Sequence, residues 1–402
     1  MPRTPTWWPF RTRDRAPEPG PPPEADPGPA STQGRGVRIL LGLAGGVVVA
    51  FGMAAIGGIL APTLLALILT ICVQPVRRGL IARGTPAGLA TGAVIVVVFL
   101  LLAGFAGVMV IAIGQFVTML PQYSAQFATI GAQIGAWLES IGIGAAQVKD
   151  LSSGLDPSRF VDFFTGLLGG AFGLISFLVV ILTMLILMAA DAAYTPTLLR
   201  QLEPTKPNLV FAWTSFAHGV RRYMVVTTVL GVVQGVINGV ALLLLGVPAA
   251  LLWAVLSFLC SFIPNVGYFI AIVPPLVFGY LTGGWPTVIW VIIVYGLINA
   301  VVQSIVQPKV VGNAVALSQT LTFFSVLFWA VVLGPIGAIL AVPLTLLGRA
   351  VLVDSDPEAR AWRPAIGDLT ETRTRMTEET AARKQERLER KHKTAAEPAG
   401  EV

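Results

Sequence analysis

Charge is what this sequence has least of: Asp, Glu, Lys and Arg make up 12% of its 402 residues, against 55% hydrophobic residues. The charged residues are also unevenly spread, and none lies between Arg222 and Lys309. Helices of a soluble protein need a polar face, whereas uncharged apolar runs of more than about 18 residues can cross a hydrocarbon layer roughly 30 Å thick. The scarcity of charge therefore excludes an ordinary soluble protein and predicts a multi-pass membrane protein in contact with the lipid bilayer.

Cysteine and histidine are scarce too, with two of each in the chain. Cys72 and Cys260 lie inside apolar runs, so they build neither a disulfide framework nor a CxxC metal site, and His218 and His392 add few zinc ligands. The enzyme motifs HExxH, GxxxxGKS/T and GxSxG are absent. We therefore expect no enzyme activity, no metal and no cofactor.

The net charge of +6 does not indicate a nucleic-acid partner. The basic residues flank the apolar runs, where they would meet anionic lipid headgroups. Most of them fall in one set of loops and in both tails, whereas the opposite loops hold Lys149 and Arg159. By the positive-inside tendency this pattern predicts that both termini are cytoplasmic and that residues 114–165 form an extracytoplasmic insertion.

The apolar segments between residues 37 and 350 predict an all-α membrane bundle of about seven or eight segments. They cover 38–56, 59–76, 87–113, 166–190, 223–246, 250–281, 285–306 and 318–348. Two of them are interrupted, at Pro264 and at Gly334-Pro335, and proline removes a helix hydrogen-bond donor. Each broken segment fits either a full span or a re-entrant hairpin, and hydropathy does not decide between them.

The two tails and one further helix complete the domain prediction. Residues 1–36 contain ten prolines and five arginines, a composition typical of a disordered tail. Residues 351–402 form a charged, partly helical tail with acidic and basic residues at i,i+4 spacing. Apolar residues recur every three or four positions over residues 116–141. That spacing predicts an amphipathic helix that lies on the membrane surface or packs over the spans, with a substrate lid as the alternative.

Amides are the main polar groups that the sequence places at membrane depth, because the spans contain no Asp, Glu, Lys, Arg or His. Asn299, Gln303 and Gln307 recur at i,i+4 and share one helix face, and Asn265 lies at the first break. We expect these four amides to line a substrate path, with hydrogen bonds between helices as the alternative role. Broken helices often carry transport sites, so we also expect gating at the breaks. The residues for this role are Pro264, Gly267, Gly334, Pro335 and Gly337.

Small residues form a stripe at Gly231, Gly235 and Gly239, each four positions apart. Such stripes let helix backbones approach closely, within one protomer or between protomers. The stripe is therefore compatible with a homo-oligomer. The alternative interpretation is a sliding surface for a moving element.

Several motifs resemble the AI-2E family of bacterial transporters, in that family's order and spacing. The resemblance covers about residues 37–350 and is most specific over residues 246–349. The motifs are Pro75-Val76-Arg77-Arg78, Gly246-Val247-Pro248, Phe262-Ile263-Pro264-Asn265-Val266-Gly267, Gln307-Pro308-Lys309-Val310-Val311-Gly312, Leu333-Gly334-Pro335-Ile336-Gly337 and Ala341-Val342-Pro343-Leu344.

The resemblance implies an inner-membrane permease, and the family is named for export of the quorum-sensing signal autoinducer-2. Some members are associated instead with sodium/proton exchange. Many members carry an acidic residue followed by Asn just before the Gln-Pro motif, whereas Gln303 and Ser304 stand here. An amide does not titrate, so this difference weakens an ion-coupled mechanism that would rest on that carboxylate.

Three functions remain as hypotheses at this point. The first is a transporter that exports or facilitates passage of a small polar organic solute, because the spans lack buried charge. The second is a sodium/proton-type antiporter, which would need a titratable group such as Asp162 or Asp191 at a span end. The third is a non-transporting membrane scaffold whose tails bind partners.

Overall fold

The computed structural model describes residues 32–141, 171–302 and 317–367, together with residue 166 and scattered positions between 374 and 385. The described chain is helical and contains no β-strand, which confirms the predicted all-α class. Two compact units are present, residues 1–50 and residues 51–402. Apart from the first helix, the elements that the structure describes lie in the second unit. Most of the predicted tail over 1–36, the part of the predicted insertion beyond residue 141, and most of the second tail lie outside the described residues.

Within each described stretch, 32–141, 171–302 and 317–367, the helices follow one another with short connections. A 3-10 turn over Leu120–Tyr123 joins α3 to α4, and α11 continues into a π-helical turn over Ala350–Asp354. In chain order they are α1 (Thr32–Ala55), α2 (Gly57–Ala82), α3 (Ala87–Met119), α4 (Ser124–Ser140), α5 (Ala171–Asp191), α6 (Thr195–Leu202), α7 (Pro207–Leu244), α8 (Ala250–Cys260), α9 (Gly267–Val301), α10 (Gln319–Ile339), α11 (Ala341–Arg349) and α12 (Arg363–Ile366).

Five stretches of helix are long and apolar enough to cross a membrane: α2, α3 with α4, α7, α9 and α10. Helices α5 and α6 give a sixth if the pair, bent by 52°, is taken as one span. The predicted segment 38–56 corresponds to a shorter apolar helix, Leu40–Ala55, and the predicted broken segment 250–281 begins with another, Ala250–Cys260. At 1.5 Å per residue, α8 is only about 16 Å long, so it does not cross a hydrocarbon layer by itself.

The bundle has a basic end and a far end. Helix α2 starts at Gly57 and carries Arg77 and Arg78 in its last turns, and Nε of Arg221 in α7 donates to the Ile71 carbonyl at 3.2 Å. The α2 and α7 arginines therefore lie at the same end, which we call the basic end. The far end contains the start of α2 and, because α7 runs 23 residues beyond Arg221, the end of α7 at Leu244.

The predicted amphipathic helix over 116–141 is not a separate element. Its first residues complete α3, and the remainder forms the 3-10 turn and α4. Phe116, Leu120 and Phe127 are buried, whereas Trp137 is 61% exposed. The ring centroids of Phe116 and Phe127 lie 5.2 and 6.0 Å from that of Phe278. The apolar face therefore packs on the bundle over its first part, one of the two placements expected from the sequence.

The glycine stripe of α7 packs against α8 within the protomer. A Cβ on Gly235 would lie 2.8 Å from the Ala254 carbonyl oxygen, and one on Gly239 would lie 2.7 Å from the Ala254 Cβ. A Cβ on Gly231 would overlap the Ser261 hydroxyl. The stripe thus serves close backbone approach, and the two helices run antiparallel because residue numbers rise on one as they fall on the other.

Helix α9 folds back on itself at Gly284. This residue has φ 62° and ψ −157°, a backbone conformation that is open essentially to glycine alone. A Cβ on Gly279 would lie 3.6 Å from Val291, although twelve residues of continuous helix would separate them by about 18 Å. Residues 267–283 and 285–301 are therefore two antiparallel arms.

The first proline break produces a helical hairpin. Helix α8 ends at Cys260 and α9 begins at Gly267, and the ring centroids of Trp253 and Phe278 lie 5.6 Å apart. This contact requires α8 and the first arm of α9 to run side by side in opposite directions. We call these two elements the first hairpin, and residues 261–266 between them the break loop.

The second break produces another hairpin. Gly334 has φ 68° and ψ −154°, nearly the same conformation as Gly284. Nε1 of Trp329 donates to Oγ1 of Thr345 at 3.2 Å, although sixteen residues of continuous helix would span about 24 Å. Residues 319–333 and 335–349 therefore lie antiparallel, and we call them the second hairpin.

The two hairpins point in opposite directions, and the tip of the first packs against the side of the second. In the first hairpin the Tyr223 hydroxyl donates to the Phe262 carbonyl at 3.2 Å, which places the tip only two positions along α7 from Arg221. In the second, a Cβ on Gly57 would lie 3.7 Å from the Val332 carbonyl, so this tip reaches the far end. Ile263 and Val266 of the break loop pack against Val326, Ala338 and Ala341 of the second hairpin.

The start of the second predicted tail is docked at the base of the second hairpin. The Asp354 carboxylate is buried and pairs with Nε of Arg363 at 2.7 Å and Nε of Arg349 at 3.4 Å. The guanidinium groups of Arg360 and Arg363 lie 5.2 and 5.3 Å from the Phe211 ring centroid in α7. Residues 354–366 therefore connect the second hairpin to α7 at the basic end.

Candidate functional site

A small polar pocket lies where the first hairpin, α7 and the second arm of α9 meet. Its polar lining comes from Thr227, Gln234, Ser257, Ser261, Tyr268 and Asn299. No Asp, Glu, Lys, Arg or His is among the described residues that line it. The pocket can therefore offer hydrogen-bond donors and acceptors without a formal charge.

The position of the pocket along α7 sets its depth. Gln234 lies twelve residues beyond Arg222 and ten residues before the helix end at Leu244. At 1.5 Å per residue these separations are about 18 and 15 Å, so Gln234 lies near the middle of the apolar stretch. A hydrocarbon layer of roughly 30 Å would place the pocket near its centre.

The wall of the pocket continues into a buried hydrogen-bonded pair. Nδ2 of Asn238 donates to Oγ of Ser257 at 2.8 Å, and both residues are almost wholly buried. The Asn238 carbonyl oxygen has no hydrogen-bond partner within the described chain. The Tyr295 hydroxyl is buried beside Ser257. Buried polar groups are nearly always paired, so the Asn238 oxygen that lacks a described partner beside the pocket points to water or solute binding.

Close helix packing holds these side chains in place. Gly231 and Gly235 let α7 approach α8 near Ser257 and Ser261, and a Cβ on Gly296 would lie 3.7 Å from the Tyr268 hydroxyl. The Tyr223 hydroxyl fixes the Phe262 carbonyl at the edge of the break loop. The pocket is thus built mainly from helices, with the break loop at its basic side.

The pocket is small in this conformation, with a cavity volume of about 30 Å³. That volume is close to the share of one water molecule in the liquid. An organic solute would need the pocket to open. The element beside the pocket that can move without breaking a continuous helix is the break loop, because its backbone is already interrupted.

The amides and glycines predicted from the sequence are only partly brought together. Asn299 and Gly267 line the pocket. Asn265 has φ 64° and is exposed. It lies beside Pro264 in the break loop and is not among the residues that line the pocket. Gln303 and Gln307 lie outside the described residues.

The second break does not reach the pocket. Gly334 and Pro335 form the turn of the second hairpin at the far end, and a Cβ on Gly334 would meet no atom within 4 Å. Gly337 packs so closely against the Trp329 carbonyl and Leu333 that only glycine fits. The break loop packs against the second hairpin at the cluster that contains Ala338, one residue beyond Gly337.

Sequence reasoning missed most hydroxyl groups of the pocket. Ser257 and Ser261 recur at i,i+4 and therefore share one helix face, and Tyr295 and Asn299 do the same. These two spacings were the available signal. Thr227 and Tyr268 were not marked by it.

The arrangement favours binding of a neutral polar group over acid–base or metal chemistry. Within the described part of the chain no group of three or more His, Cys, Asp or Glu residues is placed to hold a metal ion. Hydroxyls and amides at membrane depth can replace the water shell of a solute. The geometry thus suits recognition and passage of a solute.

Comparison with known proteins places the chain in a family. The profile of the AI-2E family transporter matches residues 41–354. The chain belongs to the AI-2E transporter family. It is 31% identical over 311 residues to "Putative transport protein YhhT" of Escherichia coli strain K12, covering 77% of this chain and 88% of YhhT. It is 27% identical over 320 residues to "AI-2 transport protein TqsA" of the same strain, covering 79% of this chain and 92% of TqsA.

The family assignment fixes the general class of this AI-2E transporter. It is a multi-pass membrane protein of a transporter family, as the sequence motifs predicted. Two of those motifs occupy the breaks: residues 262–267 contain most of the break loop, and residues 333–337 form the turn of the second hairpin. The family signature thus coincides with the interrupted parts of the helices.

Proposed function

We propose that this AI-2E transporter is a permease for small, polar, uncharged organic solutes, which pass through the polar pocket. The observation that carries the proposal is the pocket itself, with amides and hydroxyls near mid-membrane and no ionisable Asp, Glu, Lys, Arg or His in its described lining. A charged solute would be left unpaired there, at a high desolvation cost. Autoinducer-2 is the first solute to test, because the relative TqsA is named for its transport.

Passage needs a change of conformation, since the pocket has room for about one water molecule. We assign this change to the break loop, which separates α8 from α9 and touches the second hairpin. Movement of the loop would expose the pocket toward the basic end. Pro264 in this loop and Gly267 directly after it, with Gly334, Pro335 and Gly337 in the other hairpin, remain the gating residues of the proposal. Asn265 in the loop remains, with Asn299, Gln303 and Gln307, an amide of the proposed substrate path.

The orientation belongs to the same proposal. The basic end carries Arg77, Arg78, Arg221 and Arg349, and by the positive-inside tendency it faces the cytoplasm. Both termini and the docked segment 354–366 then lie on the cytoplasmic side of a bacterial inner membrane, and the tip of the second hairpin lies near the outer surface of that membrane.

Export from cells that express the protein tests the pocket. Asn299→Leu and Ser257→Ala should lower autoinducer-2 export at least tenfold at equal membrane abundance, because each removes a group that would replace solute hydration. Gln115→Leu is the matched control, since Gln115 is an exposed amide of α3 away from the pocket. Export at the parental rate by both pocket variants would locate the path elsewhere.

The same cells distinguish the two transport hypotheses. Inverted vesicles with a pH-sensitive dye should show no sodium-dependent proton movement above vesicles without the protein. Sodium-driven proton movement would favour the antiporter, with Asp191 as its nearest described candidate at the end of α5.

A further inference from the structure

A second and larger cavity lies at the basic end, between α2, α5, α6 and α7. Its volume is about 640 Å³, within the usual range for ligand pockets. It shares no lining residue with the polar pocket. A role in solute recognition at mid-membrane therefore does not account for it.

One side of the cavity is apolar. Helix α6 contributes Leu198, Leu199 and Leu202, and the start of α7 contributes Leu209 and Trp213. Leu198 is 52% exposed and Trp213 is 39% exposed in the cavity and on the surface around it. Such a surface at the edge of a membrane suits a hydrocarbon chain better than water.

The other side of the cavity is basic. Its charged groups are Arg78 of α2, Arg221 and His218 of α7, and Asp191 of α5. The two arginines outnumber the one carboxylate even with a neutral histidine, so the net charge of the lining is positive. Thr70, Gln74 and Thr214 add neutral hydrogen-bonding groups on the same wall.

Hydrogen bonds between helices fix the shape of this basic wall. Nε of Arg221 donates to the Ile71 carbonyl at 3.2 Å, which joins α7 to α2. Nε2 of Gln74 donates to the Ala192 carbonyl at 3.3 Å, which joins α2 to the end of α5. These bonds leave the terminal nitrogens of Arg221 available to a ligand together with the exposed guanidinium of Arg78.

We propose that this cavity binds one anionic phospholipid from the leaflet at the basic end. The phosphate lies between Arg78 and Arg221, and one acyl chain lies along Leu198, Leu202 and Trp213. Asp191 accepts a hydrogen bond from a hydroxylated headgroup, so phosphatidylglycerol fits the charges of the lining. Charge complementarity selects the headgroup, and the apolar wall selects a lipid over a soluble anion.

Native mass spectrometry of the full-length protein in detergent tests this assignment. The parent protein should retain one molecule of phosphatidylglycerol when that lipid is added, and should retain no phosphatidylcholine when that lipid is added instead. Arg78→Gln should weaken that retention about fivefold, since one juxtamembrane cation contributes on this scale. Arg78→Lys should keep most of it, and Arg83→Gln serves as control because Arg83 follows α2 but does not line the cavity.

A second measurement separates lipid from a soluble phosphate compound. Leu202→Gln should weaken retention of phosphatidylglycerol without changing the elution volume of the protein, because it places an amide against the acyl chain. Glycerol 3-phosphate should show no binding at concentrations where the lipid binds. Equal retention by Arg78→Gln and Arg83→Gln, equal retention of phosphatidylcholine, or equal binding of glycerol 3-phosphate would each overturn the proposal.

Discussion

At Asn238 an amide is buried in a membrane helix and satisfied on one side only. Its nitrogen donates to Ser257 at 2.8 Å, whereas its carbonyl oxygen has no described partner. Interhelical hydrogen bonds of this kind contribute only about 0.6 to 2 kcal/mol, so packing alone would tolerate an apolar residue at this position. The half-satisfied amide, next to the pocket, is the residue-scale signature of a site that contacts water or solute.

Asn265 allows backbone and side-chain roles to be separated. Its φ of 64° is a left-handed conformation that glycine adopts without strain and alanine does not. We expect Asn265→Ala to lower the free energy of unfolding by about 1 kcal/mol and Asn265→Gly to leave it nearly unchanged. Both should reduce solute export if the amide contacts solute, as proposed. Parental export by Asn265→Gly would show that only the backbone conformation matters.

Asp354 tests the docked segment. Its buried carboxylate pairs with Arg349 and Arg363, and removal of its charge leaves two guanidinium groups without their counterion. We expect Asp354→Asn to lower the free energy of unfolding by about 2 kcal/mol, measured by thermal unfolding in detergent. Glu358→Gln is the matched control, because Glu358 is exposed four residues away. Equal melting temperatures for the two variants would contradict a stabilising role for the cluster.

At the scale of the elements, glycine has two different structural roles. Gly284 and Gly334 reverse the chain through nearly identical conformations, with φ near 65° and ψ near −155°. Gly235 and Gly239 stay helical and instead let α7 approach α8. Gly284 and Gly334 therefore determine where the chain reverses, whereas Gly235 and Gly239 determine the distance between α7 and α8.

Gly235→Ala tests the close approach of α7 and α8. The added methyl would lie 2.8 Å from the Ala254 carbonyl oxygen, so the helices must move apart. We expect a loss of about 1 to 3 kcal/mol in unfolding free energy, with lower export because Ser257 shifts with α8. The control is Gly104→Ala in α3, where no atom lies within 4 Å and alanine should be neutral or slightly stabilising. Identical stability of the two variants would argue against tight packing at Gly235.

The whole molecule is organised by two hairpins that enter from opposite ends. The chain reverses at the break loop and again at Gly284, so the second arm of α9 starts at the far end and runs toward the basic end. Lys309 follows seven residues after Val302 and lies outside the described residues. Because the second arm of α9 ends at the basic end, we expect Lys309 on the same side as Arg77 and Arg221, as the positive-inside tendency favours.

A cysteine-labelling experiment tests this topology. In a background with Cys72→Ala and Cys260→Ala, Lys309→Cys should resist an impermeant thiol reagent in intact cells and react after permeabilisation. Ile141→Cys should be labelled from outside, and Glu203→Cys should not, since both residues are exposed at opposite ends. Labelling of Lys309→Cys in intact cells would rule out the hairpin topology in the membrane.

The sequence by itself determined the class of the molecule and the places where its helices break. Length of apolar runs, absence of charge and the missing donor of proline are local properties, so Pro264 and Gly334-Pro335 marked both interruptions without a structure. Only the tertiary structure decided that both breaks reverse the chain, and that the second one lies away from the pocket. It also joined Ser257 to Asn238 and Tyr295, which are 19 and 38 residues away in sequence. Those contacts depend on how glycine-lined helix faces fit together, and a single serine or tyrosine in an apolar run carries no local sign of the partner it will meet.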